Sequence, residues 1–116
     1  MKQSITLKRL DKELEKHFTG IPFTRQNMND DVIITIPISP TIDLTIRISD
    51  WYPFRVPTVY LNGIEYFDIL KCNHEKLKPS INKCIYCNSI VCPDKWKPAF
   101  KLISIVNEVK QIINLL

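Results

Sequence analysis

Four cysteines and a histidine, Cys72, His74, Cys84, Cys87 and Cys92, lie between positions 72 and 92 of a 116-residue chain. Cys84-Ile85-Tyr86-Cys87 is a C-x2-C knuckle, a spacing that lets two thiolates bind one tetrahedral zinc ion from a tight turn. Cys72 and Cys92 would complete a four-thiolate structural site. His74 is the alternative ligand, giving three thiolates and an imidazole with Cys72, Cys84 and Cys87. A structural zinc would hold an otherwise irregular segment, because its binding free energy becomes folding free energy. The same thiols admit other readings. A thiolate is a nucleophile for acyl transfer, a buried cysteine is a small hydrophobe, and an oxidising compartment would allow a disulfide. A thiolate closed into a zinc site is not free to attack a carbonyl, so zinc and nucleophile compete for Cys87.

Other chemistries find little here. The only glycines, Gly20 and Gly63, cannot form a phosphate-binding glycine loop. Asp68 and Glu75 lack the partner pattern of paired-carboxylate catalysis. Sixteen basic and twelve acidic residues give a net charge of +4. They are interspersed along the chain, which argues for a solvated surface and against a nucleic-acid-binding arm. His17 reads as a surface histidine. No apolar run approaches the roughly 18 residues of a membrane span, and residues 1–6 hold no signal-peptide core. The expectation is an intracellular protein, cytoplasmic or nuclear, with no membrane partner. In a reducing compartment, clustered thiols favour metal binding or catalysis.

The elements that must position these thiols follow from periodicity. Leu7, Leu10, Leu14 and Phe18 recur at helical spacing, with Lys8, Arg9, Asp11, Lys12, Glu13, Glu15 and Lys16 assigned to the other side. Val32 to Ile36 is a β-branched strand. In the next strand Ile42, Leu44, Ile46 and Ile48 alternate with polar residues, as in a sheet with one buried face. Pro53 and Pro57 suggest a rigid extended crossing packed by Trp51, Tyr52 and Phe54. Thr58 to Leu61 resumes as a strand, Asn62-Gly63 is a hairpin turn signal, and residues 64–67 are expected to return from it. Residues 68–95 show no sustained period. Leu102, Ile105, Val106, Val109, Ile112 and Ile113 then mark a closing helix, with Glu108 among the residues assigned outside its stripe. This is a single α+β domain, residues 1–116: a four-stranded antiparallel meander with an N-terminal and a C-terminal helix packed on it. Trp51, Tyr52, Tyr60, Phe67 and Trp96 are read as packing aromatics.

Three segments in this order resemble the ubiquitin-conjugating enzyme family. Residues 7–14, Leu-Lys-Arg-Leu-Asp-Lys-Glu-Leu, are similar to the family's first helix. Tyr52-Pro53-Phe54-Arg55-Val56-Pro57-Thr58-Val59 resembles its tyrosine-proline signature, and Trp96-Lys97-Pro98-Ala99 its step into the helix behind the active site. The related RWD domains share the fold and the tyrosine-proline signature, and the Trp96 motif favours the conjugating enzymes. The resemblance implies a UBC-like fold without the family's last helices, carrying a cysteine-rich insertion at about 62–95. It also implies a thioester chemistry, in which a cysteine accepts ubiquitin's C-terminal carboxyl and passes it to a lysine amine.

By position Cys87 is the matching nucleophile, with one extra residue before Trp96; without that gap Asn88 takes its place. The family's histidine-proline-asparagine triplet corresponds to Lys78-Pro79-Ser80, so the asparagine that stabilises the oxyanion is replaced by Ser80. Asn82 and Asn88 are the other candidate donors. The reading that follows is a non-catalytic, zinc-stabilised binding module. Its partner would be ubiquitin, a ubiquitin-like protein, or another conjugating or ligase enzyme. An active transferase using Cys87 is the alternative, and a zinc-containing nucleic-acid binder is a third that the mild charge supports poorly.

Overall fold

A computed structural model describes residues 3–29, 31–49, 51–73, 75–76 and 89–115, with only the backbone of residues 3–7. Helix α1, Gln3–His17, precedes an antiparallel sheet with strands in chain order: β1 (Thr24–Met28), β2 (Asp31–Ser39), β3 (Ile42–Ile48), β4 (Thr58–Leu61) and β5 (Ile64–Glu65). A short helix α2, Tyr66–Cys72, follows, and helix α3, Leu102–Leu115, ends the described chain. The α+β class and the antiparallel meander are as expected. No described helix is long and apolar enough to cross a membrane.

The sheet departs from the expected four strands in two ways, one strand added and one shortened. Strand β1 was not expected because Thr24-Arg25-Gln26-Asn27-Met28 is exposed throughout and carries no apolar alternation. Its backbone pairs with β2 from Thr24↔Thr35 to Met28↔Asp31, and Arg25 reaches Asp11 of α1 at 2.5 Å. The expected return strand at 64–67 shrinks to the two residues of β5. Tyr66 and Leu70, one helical turn apart, are buried, so the chain coils into α2 to put both into the core. The 62–95 segment therefore begins with the expected hairpin turn, and helix α2 runs into the stretch from 68 onward that was read as without period.

Alternation in β2 and β3 builds the core. The register sets Ile34 opposite Ile46 and Ile46 opposite Val59, with Ile36, Leu44 and Leu61 in the next row. These six side chains form one buried cluster with Leu10 and Leu14 of α1, Phe18 just after it, and Leu102, Ile105, Val106 and Val109 of α3. A one-residue slip would turn the whole isoleucine row to solvent, which fixes the register. Ile42, expected to be buried, is only partly covered where β3 begins.

Two turns meet at one end of the sheet. Asn62 and Gly63 have φ of 50° and 82°, the left-handed pair that a tight hairpin needs. The Asn62 carboxamide accepts the Asp43 N–H at 2.8 Å and donates to the Thr41 carbonyl at 2.9 Å, clipping the β4–β5 turn to the β2–β3 turn. On the sheet surface Asp31 binds Arg47 Nε at 2.6 Å, and that hydrogen bond, followed by the carboxylate's charge, raises the already high guanidinium pKa.

Between β3 and β4 the chain does not run extended. Backbone bonds from Phe54 and Arg55 N–H to the Trp51 carbonyl, at 2.7 and 3.0 Å, wind residues 51–55 into turns. The Tyr52–Pro53 peptide is cis. Tyr52 points into the core, whereas Trp51 and Phe54, read as packing aromatics from the sequence, are 62% and 70% exposed.

Candidate functional site

Two buried or half-buried carboxylates organise the part of the molecule where the sequence gathers its chemistry. Glu13 is the first. It is 4% exposed, so its assignment to the charged side of α1 was wrong. Lying three residues after Leu10 and next to Leu14, it borders the apolar stripe and enters the core with it. One carboxylate oxygen accepts Arg9 Nε at 3.0 Å and a short hydrogen bond from the Tyr52 hydroxyl. The other accepts the Leu102 N–H at 2.7 Å, capping α3 from another element and placing negative charge at its N-terminus. Arg9 also donates to the Phe100 carbonyl at 2.7 Å, and its guanidinium lies 5.5 Å from the centre of the Tyr52 ring. Glu13 and Arg9 thus tie three segments distant in sequence.

Above that knot sits the tryptophan motif. Trp96 Nε1–H donates to the Pro53 carbonyl at 2.7 Å, and its ring lies 6.1 Å from Tyr52 and 5.7 Å from Phe100. A buried indole requires a partner for its N–H, and a proline carbonyl in a fixed turn supplies one.

Glu108 is the second carboxylate. Sequence assigned it to the outside of α3, yet it is half-buried between the turns that carry Ile105 and Ile112. It accepts the Tyr66 hydroxyl at 2.8 Å, the Ser89 hydroxyl at 2.7 Å and the Ile90 N–H at 2.9 Å. The chain leading to Trp96 is thereby pinned to α3 and to α2 together. Burial, then the charge of Glu108 and the hydrogen bond to it, push the Tyr66 phenol well above its ordinary pKa. Tyr52 is raised likewise by burial, then by the hydrogen bond to Glu13 and its charge, against an opposing effect of Arg9. Both phenols are hydrogen-bond donors at neutral pH. Their chemistry is structural.

The sequence's site residues divide between two fates. Cys72, the last residue of α2, is exposed. Cys92 is 8% exposed in a turn where its N–H donates to the Ser89 carbonyl and its carbonyl accepts from Lys95 and Trp96. A thiol so enclosed is poorly placed to meet a protein-sized substrate. Cys84, Cys87 and His74 lie outside the described residues, as do Ser80, Asn82 and Asn88. Among the described residues no three His, Cys, Asp or Glu side chains converge as metal ligands. Three of the five candidate ligands are not in that set.

A third feature was not apparent from the sequence. A cleft of about 310 Å³ opens between α1 and the approach to α3, lined by Arg9, Lys12, Glu13, Lys16, His17, Ala99 and Lys101. Charges interspersed along the chain are sorted by the helix, with Arg9, Lys12 and Lys16 facing the cleft while Asp11 pairs with Arg25 elsewhere. The signal was the 9-12-16 spacing, which a charge count ignores.

Compared with protein-family models, curated proteins and solved structures, the chain matches none.

Proposed function

We propose that this chain is a non-catalytic binding module of ubiquitin conjugation, built on the frame of the conjugating enzymes and stabilised by zinc in its cysteine segment. The observation that supports it best is the bond from Trp96 Nε1 to the Pro53 carbonyl at 2.7 Å. It joins the two motifs that carry the resemblance, 43 residues apart in sequence. Two motifs shared by chance have no reason to be partners in space. The N-terminal helix, the third element of the resemblance, joins the same cluster through Glu13 and Tyr52.

Binding without catalysis fits the residues that replace the family's catalytic ones. Ser80 stands in for the oxyanion-stabilising asparagine, Cys87 belongs to a metal-type knuckle, and Cys92 is buried. Exposed Trp51 and Phe54, projecting from a turn anchored by Tyr52, offer the aromatic contact area that protein partners cover.

The test has two arms. With activating enzyme, ATP and ubiquitin, no reductant-sensitive band shift is expected on a non-reducing gel. A shift abolished by Cys87→Ala, in a variant that still melts cooperatively, would make the chain a transferase. In the second arm, nitrogen-labelled protein is titrated with ubiquitin and with a conjugating enzyme, and localised amide shifts including Trp51 or Phe54 are expected. Spectra unmoved by both partners refute the binding role.

A further inference from the structure

We infer that the cleft between α1 and residues 99–101 is an anion site whose ligand is a compact polyphosphate. The inference does not depend on the proposed role in ubiquitin conjugation. Its volume of about 310 Å³ lies at the lower end of small-ligand clefts, roughly 300–1,000 Å³. The charge on its walls is one-sided. Arg9 and Glu13 neutralise each other through the 3.0 Å ion pair, and the remaining oxygen of Glu13 is taken by the Leu102 N–H. That leaves Lys12, Lys16 and Lys101, with His17, facing one concavity lined by no other carboxylate among the described residues. Among the described residues none of these four side chains has an ion-pair or hydrogen-bond partner.

Like charges gathered at a concave, partly apolar wall repel one another and focus a positive potential, which a multivalent anion relieves. The lysines are separated along the helix and across the cleft. Lys12 and Lys16 stand one turn apart, about 6 Å along α1, and Lys101 faces them from the segment before α3. A chain of phosphoryl groups spreads its charge over the length of the cleft and meets more of these ammonium groups at once than a single phosphate does. Ammonium groups act here as point charges and need no bidentate geometry. Among the described residues no Phe, Tyr or Trp ring lines the cleft to stack a nucleobase, so the inference is to a polyphosphate without a base.

Isothermal titration of the intact protein with inorganic tripolyphosphate tests this, alongside orthophosphate and a hexaglutamate peptide. Tripolyphosphate should bind one-to-one at low salt, with orthophosphate at least about tenfold weaker because it meets fewer charges. Lys16→Glu and Lys101→Glu, each checked by a melt, should weaken tripolyphosphate binding by about tenfold or more, since each turns an attraction into a repulsion. Lys110→Glu, exposed, outside the lining and about 12 Å along α3 from its start, should leave it within about twofold when the titration is repeated at about 0.15 M salt, where charges that far apart are screened. Absence of saturable binding overturns the inference, as does Lys110→Glu weakening it as much as Lys16→Glu at about 0.15 M salt. Tighter binding of hexaglutamate overturns it in favour of an acidic protein segment.

Discussion

Replacing Glu13 by alanine removes the acceptor of three donors, and its consequence can be worked from the contacts. The Tyr52 hydroxyl and the Leu102 N–H are buried, while Arg9 is partly exposed. Each hydrogen bond to a charged acceptor contributes about 1.5–3 kcal/mol, and a buried donor left without a partner costs about 1–3 kcal/mol. Arg9 can turn to water, so its share is discounted to about 0–1 kcal/mol. Losing two buried donors' partner together with a helix cap gives about 3–5 kcal/mol, similar to breaking a buried ion pair. For a domain of this size that lowers Tm by roughly 10–20 °C. Circular dichroism melts and urea titrations measure it, with the urea midpoint falling and the slope unchanged. Glu13→Gln keeps one acceptor and should lose less, about 1–2 kcal/mol. Glu15→Ala, on the exposed side of the same helix, should stay within about 0.5 kcal/mol. A Glu13→Ala loss below about 1 kcal/mol would refute the account of Glu13 as the tie between α1, the Tyr52 turn and α3.

The alkaline limb of stability should report the two buried phenols. Tyr52 and Tyr66 have raised pKa values in the fold, so above the ordinary tyrosine value of about 10 the unfolded chain releases protons that the native state keeps. Stability is whole below that pH and falls as pH rises, by about 1.4 kcal/mol per pH unit for each phenol. Urea midpoints between pH 9 and 11 measure the slope, and Tyr66→Phe should remove one of the two contributions; an unchanged slope counts against the burial argument. For the metal, native mass spectrometry of protein purified in zinc-containing buffer should find one zinc ion, lost with a strong chelator. It should be absent in Cys84→Ser and Cys87→Ser, and a metal-free native mass would eliminate zinc from the cysteine segment.

The sequence by itself determined what depends on local periodicity. The alternation of Ile42, Leu44, Ile46 and Ile48 fixed a half-buried strand, and the stripes of α1 and α3 fixed two amphipathic helices. Asn62-Gly63 specified its own turn, because few other residues accept positive φ at consecutive positions. Strand β1 was illegible because neither of its faces is buried, and it is held by backbone pairing with β2 and by the Arg25–Asp11 ion pair. At Tyr66 burial decided the conformation. A strand would also place Tyr66 and Leu70 on one face but about 13 Å apart, whereas the helix brings them to about 6 Å along its axis and into the core together. Trp51 shows the converse, since an aromatic's type states its appetite for burial but not whether the turn that carries it faces in or out. The two carboxylates depended most on tertiary structure. Glu13 and Glu108 look like surface residues because charge is costly to bury. Only the fold brings Tyr52 and the Leu102 N–H to one, and Tyr66, Ser89 and the Ile90 N–H to the other, and those donors offset the cost. The same folding gathers Lys12, Lys16 and Lys101 around one cleft, from lysines that are unremarkable in a chain of net charge +4.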